Sequence, residues 1–442
     1  MQQLLSGWGR TVPSRADVVS PKSDLVADFV RSSDRVVARG LGRSYGDAAQ
    51  SAGGRVIESS ALRTPLEPGP IMTIGAGESL DSVMRAAVPA GWFVPVTPGT
   101  RYVTVGGAIA CDVHGKNHHV DGTFSQHVSS FDIVLADGAQ QTVTPASNPD
   151  LFWATVGGMG LTGVITSATV EMKPIESAYI SVNTNRLNNL DDLFAAMIDA
   201  DKTAMYSVAW VDTLARGSNL GRSVLTTGRH ATRAELTGTA AQSPSKFAPK
   251  ELATAPPFVP AGLLNRLSVS AFNELWFRKA PKARQGEIQS IGAFFHPLDG
   301  VAEWNRIYGA PGFLQYQFVV PDGAHDVVRT ALQRFSAAQC PVFLAVLKRF
   351  GVANPGMLSF PTQGWTLAVD IPTRVPGLSA LLDELDQLVL NAGGRIYLAK
   401  DSRVRADVLA AMYPRLADFR QVREIYDPQH RFTSDLSERL AL

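Results

Sequence analysis

Between Thr155 and Met172 the chain reads TVGGMGLTGVITSATVEM, in which Gly158, Gly160 and Gly163 match the G-x-G-x-x-G spacing of dinucleotide-binding turns. That spacing holds a pyrophosphate only where a strand enters the glycines and a helix leaves them, because the phosphates rest on the helix N-terminus. Here the residues that follow are Val164, Ile165, Thr166, Ser167, Ala168, Thr169 and Val170, a β-branched run that favours a strand. No acidic residue stands about 20 positions on to hold a ribose. The pattern argues against an NAD-type Rossmann domain, and the glycines need another use.

The 442 residues, 45% of them hydrophobic, suffice for two or three domains, each with its own core. Lys and Arg number 41 against 40 Asp and Glu, so no overall field recruits nucleic acid or an anionic membrane, and anion binding must come from local clusters. Cys111 and Cys340 cannot build a disulfide framework. The opening MQQLLSGWGR lacks the pattern of a signal peptide, and no run of roughly 18 apolar residues occurs. A cytoplasmic or membrane-peripheral protein is expected.

The first part reads as short strands and glycine turns. RVVARGLGRSYGD is a strand entering a loop, Ser79 caps a helix that ends by Gly91, and FDIVLADGAQQTVTP is a hairpin around Asp137-Gly138. From about Ala178 the texture changes. Lys246 to Leu264, rich in Pro and Ala and without period, reads as a long loop or lid. Two strand-helix-strand units follow. FLQYQFVV and VFLAVLKRF flank a helix with Val327, Val328, Ala331, Leu332 and Phe335 on one face. WTLAVDI and GRIYLAK flank one with Pro376 near its start and Leu378, Leu381, Leu382, Leu385 and Val389 on one face. Such units predict an antiparallel sheet backed by helices, hence an α+β chain.

Three glycine-rich segments punctuate the first part: Ala38 to Asp47, Pro98 to His119 and Gly157 to Gly163. Small residues let backbone N–H groups approach a phosphate, and several such loops can wrap one long anionic ligand. Taken singly, each loop is also explained as a tight turn. His114, His118 and His119 have an H-x-x-x-H-H spacing, but Gly115 and Asn117 disfavour a helix and no carboxylate or cysteine cluster stands nearby, which argues against zinc. His118 and His119 are expected to be polar loop residues.

The order of these loops is similar to that of the FAD-binding domain of the vanillyl-alcohol oxidase superfamily. Within it, GWGRT, ARGLGRSYGD, VTVGGAIACDVHGKNHH, LFWATVGG, GLTG, NELWFRK, GFLQYQFV and YLAKDSR together resemble the decaprenylphosphoryl-β-D-ribose oxidase family over nearly the whole chain. The resemblance implies a two-domain fold: an FAD-binding domain from residues 1–178 and 395–442, and a substrate domain of antiparallel sheet and helices from 179–394. It implies that Gly40, Gly42, Arg43, Ser44, Tyr45 and Gly46 cradle the FAD pyrophosphate. Gly99, Thr104, Gly106, Gly107, Cys111, His114, Ile165 and Tyr397 would line the rest of the cofactor. Relatives that tether flavin covalently often carry His where this chain has Arg43, so noncovalent FAD is expected.

The resemblance further implies that Lys400 contacts flavin and substrate and is required for turnover. Tyr45, Trp210, Gln315, Gln317, Lys348, Thr366 and Ala368 would line the substrate pocket. Thr366 stands where Asn is common in the family and Ala368 where many members carry Cys, so the pocket is altered and a thiol-directed inhibitor would not attach there. The implied reaction oxidises the 2′-hydroxyl of decaprenylphosphoryl-β-D-ribose to a ketone. An NADH-dependent keto-sugar reductase would complete epimerisation to the arabinose donor for cell-wall arabinan, and the lipid substrate implies peripheral membrane attachment. The competing readings are an alditol or aldonolactone oxidase of the superfamily, and a noncatalytic flavin-binding protein.

Overall fold

The computed structural model describes residues 1–260 and 262–442, so Ala261 of the expected lid lies outside the described residues. Strands Gln2–Leu5, Ser14–Val19, Arg55–Glu58 and Val36–Arg39 form one sheet in that order, the first pair antiparallel and the others parallel. A second, antiparallel sheet orders Ile71–Gly75, Val164–Glu171, Val128–Val134 and Gln140–Val143. The β-branched run after Gly163 is the second of these strands, and the hairpin at Asp137-Gly138 closes through Gly138 at φ 82°. Helix Leu80–Ala87 buries Leu80, Val83, Met84 and Ala87, one face at helical spacing, and starts where Ser79 Oγ accepts from the Ser82 amide at 3.0 Å.

A third sheet of eight strands is antiparallel throughout. Its order is Ala283–Ser290, Tyr179–Leu187, Ser223–His230, Tyr206–Val211, Ala345–Phe350, Gly364–Pro372, Phe313–Val320 and Arg395–Ile396. Helices Leu190–Ala200, His325–Ala337 and Leu378–Asn391 cover one face, where Leu367, Val369, Phe318 and Leu347 join Val328, Phe335, Leu382 and Leu385 in one core. Val327 and Leu381 sit at the margin, half-buried. GRIYLAK departs from the expected strand: only Arg395–Ile396 pairs, and the chain then turns, with the Lys400 amide donating to the Tyr397 carbonyl at 3.0 Å.

The last residues return to the first sheet. The Val36 amide donates to the Arg431 carbonyl at 2.7 Å, the Thr433 amide to that of Val36 at 3.0 Å, and the Arg439 guanidinium grips Asp47 through two bonds of 2.9 Å. Two expectations need correction. His118–Asp121 forms a one-turn helix in place of a loop, with His118 buried and its Nδ1 accepting from the Gly351 amide at 3.1 Å. The Lys246–Leu264 segment is partly anchored: Ala253–Thr254 pairs with Val301–Ala302, and Ala255 and Val259 are buried. No described helix is long and apolar enough to cross a membrane.

Candidate functional site

A cavity of about 690 Å³ lies between the glycine loops and the uncovered face of the eight-stranded sheet. Its first wall is mostly backbone. Gly40, Gly42, Arg43, Ser44 and Tyr45 line it, as do Gly99, Thr104, Gly106, Gly107, Cys111, His114, Ile165 and Tyr397. Thr104 Oγ1 accepts from the Gly107 amide at 3.1 Å and so starts helix Val105–Ala110; a Cβ on Gly40 would stand 2.3 Å from that oxygen. The loop can therefore cross the helix start only as glycine.

Two predicted residues do not reach the cavity. Gly46 lies against the Asp401 carbonyl, where a Cβ would approach to 1.8 Å, so it joins the first loop to the turn bearing Lys400 instead of facing a ligand. Thr366 is buried behind Gln317, whose Nε2 donates to its Oγ1 at 3.3 Å.

The backbone wall fits FAD. Among the described residues, no acceptor meets the consecutive amides of Leu41, Gly42, Arg43 and Ser44, while Gly42 at φ 63° curls them into a concavity. A pyrophosphate offers acceptors and no donors, the complement of that row. Gly160, at φ 78°, faces open space on the same wall. The Arg43 guanidinium lies 3.8 Å over the Trp8 ring, with its Nε buried and unpartnered.

The second wall is made of side chains. Gln317, Ala368, Val346, Trp210 and Val224 stand in register across five neighbouring strands, one row on the cavity face. Trp210 Nε1 donates to the Phe343 carbonyl at 3.0 Å, which satisfies its polar edge and leaves the ring on the wall. Two residues along, Gln315 opposes Asp370 and donates to its Oδ1 at 2.5 Å.

Charge is concentrated here. Burial holds the Lys348 and Lys116 ammonium groups down to about 7; Lys400 adds to the effect on Lys348, and Lys348 to that on Lys116. Lys116 donates to the Phe294 carbonyl and lies 4.2 Å over the Phe294 ring. Burial also lowers Lys400, whose Nζ stands 3.8 Å over the Tyr45 ring, while Asp370 opposes that shift. Asp370 itself is raised by burial, against the Gln315 hydrogen bond and the Lys400 charge.

His114 is held well below its usual range by burial and by Lys348. Gln317 Nε2 donates to its Nε2 at 3.0 Å, so the neutral ring carries its proton on Nδ1. Tyr397 Oη donates to the Cys111 carbonyl at 2.8 Å, and burial raises the Cys111 thiol, 3.7 Å from Ser44 Oγ. Such a thiol is inert packing.

The sequence reading missed Lys116 and Asp370. Asp370 stands two residues from Ala368 on the same strand face, but that strand is buried throughout and shows no polar alternation; Lys116, two residues past His114, lies in a turn where no strand period applies. Trp276 of helix Arg266–Lys279 also lines the cavity and was not named.

Residues 19–144 match the FAD binding domain family, and residues 369–440 match the D-arabinono-1,4-lactone oxidase family. The decaprenylphosphoryl-β-D-ribose oxidase of Mycolicibacterium smegmatis is 44% identical over 99% of this chain and 97% of that protein. A Streptomyces coelicolor protein is 42% identical over 82% of this chain and 100% of its own length. Cytokinin dehydrogenase 4 of Arabidopsis thaliana is 30% identical over 32% of this chain and 28% of that protein. By these matches the chain belongs to the decaprenylphosphoryl-β-D-ribose oxidase family and is an FAD-dependent oxidoreductase with a two-domain vanillyl-alcohol oxidase-type fold.

Proposed function

We propose that the substrate is a polyprenyl-phosphoryl ribose, oxidised at its 2′-hydroxyl to the ketone. The observation that carries this is the grouping of Lys116, Lys348 and Lys400 on one cavity, where Arg43 and Lys279 add positive charge and Glu287 is the one acidic lining residue among those described. Buried ammonium groups without equal negative charge call for an anionic ligand, and Lys348 meets a phosphate as a point charge. The remaining Gln315 N–H, the Gln317 carbonyl oxygen and the Trp210 ring then supply the polar groups and the flat surface that orient a sugar ring.

FAD, when bound, supplies the two-electron acceptor for hydride from the carbinol carbon. The Lys400 charge, held above Tyr45, stabilises negative charge that develops at the acceptor as the alcohol is oxidised. Arg43, stacked on Trp8, takes the place of a tethering histidine, so FAD is held noncovalently. Residues 1–178 with 395–442 form the cofactor domain, and 179–394 the substrate domain. An NADH-dependent keto-sugar reductase consumes the ketone on the way to the arabinan precursor, and the enzyme works at a membrane surface, where its lipid substrate resides.

The match of residues 369–440 to D-arabinono-1,4-lactone oxidases favours a second reading, oxidation of a soluble aldonolactone or alditol. Anaerobic mixing separates the two: prenyl-phosphoryl ribose should bleach the flavin absorbance, and soluble sugars should not. Bleaching by alditols or aldonolactones but not by the ribosyl lipid would overturn the first reading. Acid precipitation should leave the flavin in the supernatant; flavin retained on the polypeptide would refute the noncovalent assignment.

A further inference from the structure

Helix Arg266–Lys279 is held to the protein along a narrow face. Val269 and Asn273, four residues apart, are its buried positions, and Asn273 Nδ2 donates to Asp212 Oδ1 at 2.7 Å. The rest of the helix carries apolar side chains into solvent. Leu267 and Leu275 are 82% and 68% exposed, and with Ala271 they recur every four residues, forming one outward row.

Phe272 and Trp276, also exposed, form a second row with their rings stacked 6.0 Å apart. That row is continuous with the cavity, which Trp276, Lys279, Ala280 and Pro281 line. Leu252, Phe258 and Leu263, on the segment leading into the helix, are exposed as well.

The charge around these rows is one-sided. Between positions 266 and 284 stand five basic residues, Arg266, Arg278, Lys279, Lys282 and Arg284, against one acidic residue, Glu274. Glu274 is already neutralised by Arg222 at 2.6 Å and by Arg278. In a chain of formal net charge +1, this is a local concentration. Exposed Leu, Phe and Trp around the outward half of a helix, with Lys and Arg interspersed, match an element that lies in the headgroup region of an anionic bilayer.

We propose that the outward face of helix Arg266–Lys279 docks on an anionic phospholipid surface, so that the cavity opens toward the bilayer beside Trp276. The inference rests on the lipid-substrate reading above and names the surface that would serve it. An apolar tail could then remain in the membrane while its phosphate and sugar enter between the two walls.

The test uses the full-length FAD-loaded protein and substrate-free vesicles, either phosphatidylcholine alone or phosphatidylcholine with phosphatidylglycerol. The parent should co-sediment with the anionic vesicles, and added salt should weaken this. Leu267→Gln with Leu275→Gln should bind roughly tenfold or more weakly. Arg278→Gln with Lys282→Gln should lose the preference for phosphatidylglycerol. Unchanged thermal melts and unchanged flavin bleaching by a soluble short-chain prenyl-phosphoryl ribose would show that the variants keep fold and site.

Equal sedimentation of parent and leucine variant would overturn the proposal. So would a concentration-dependent dimer that these leucines hold together and that leaves the parent unable to bind vesicles. A parent that ignores vesicles yet is bleached by the short-chain substrate refutes docking alone. One that binds vesicles through these residues but is bleached by no ribosyl lipid upholds docking and refutes the substrate reading.

Discussion

From Leu41 to Ser44 one wall of the cavity offers backbone amides; the other offers the side chains of Trp210, Gln315, Gln317, Lys348 and Ala368. Amides do not titrate, and their positions follow from the chain path, so the first wall suits a ligand of fixed charge that must stay bound through many turnovers. Lys348 on the second wall does titrate, and burial has moved it toward neutrality. The difference separates holding from reacting: cofactor retention should depend on backbone geometry, and substrate oxidation on buried charge. Both walls meet at the seam where Gly46 packs on Asp401, next to Lys400.

The largest effect should come from that seam. In Gly46→Ala the new methyl would sit 1.8 Å from the Asp401 carbonyl oxygen, a backbone atom that cannot yield without moving the Lys400 turn. Purified variant should carry little or no FAD, read from the ratio of flavin to protein absorbance. Parent-like flavin content and reduction rate would show that the two walls are not joined there.

Lys400→Ala tests the separation itself. The amides of the first loop remain in place, so FAD content should match the parent. Loss of a charge aimed at the reacting centre typically costs about 10²–10³ in rate, and anaerobic flavin reduction should fall accordingly. A variant reduced at the parent's rate would remove Lys400 from the chemistry, whereas loss of FAD would make it an anchor and blur the division between the walls.

The two walls also differed in how far they could be read in advance. Glycines followed by the β-branched run from Val164 to Val170 set the loops and the strand after them through local preference, so most of the first wall was legible. That Gly46 packs on Asp401 and does not line the cavity was not legible, because the close approach depends on a partner some 350 residues away, which no local pattern carries. On the second wall, strand Gly364–Pro372 is buried at every position, so no polar alternation marked Thr366 as hidden or Asp370 as the buried partner of Gln315. A lysine beside glycine, as at Lys116, ordinarily reads as solvated. The anchoring of Ala255 and Val259 depends on the pairing of Ala253–Thr254 with Val301–Ala302, again a distant contact that composition does not reveal.

Lys348→Met offers the smallest and most specific test. Methionine keeps the length of the side chain and removes the charge, so the KM for ribosyl lipid should rise about tenfold, the equivalent of about 1.4 kcal/mol, with a smaller change in kcat. Stability should move the other way. The ammonium is at about 7 in the folded chain against 10.5 for an ordinary lysine. Between those values the unfolded chain holds a proton that the folded chain has released, so this group's contribution to stability rises with pH, by at most about 1.4 kcal/mol per pH unit for one proton. Below the folded value the cost of keeping the charge buried is present in full, and the variant should melt above the parent. From pH 7 to 9 the parent should recover and the gap should narrow. The comparison is a pair of thermal melts at each pH with FAD present in both. A gap that is constant across that range, or that widens, would mean that Lys348 is not held near neutrality by burial and that the second wall is less distinct from the first than the geometry indicates.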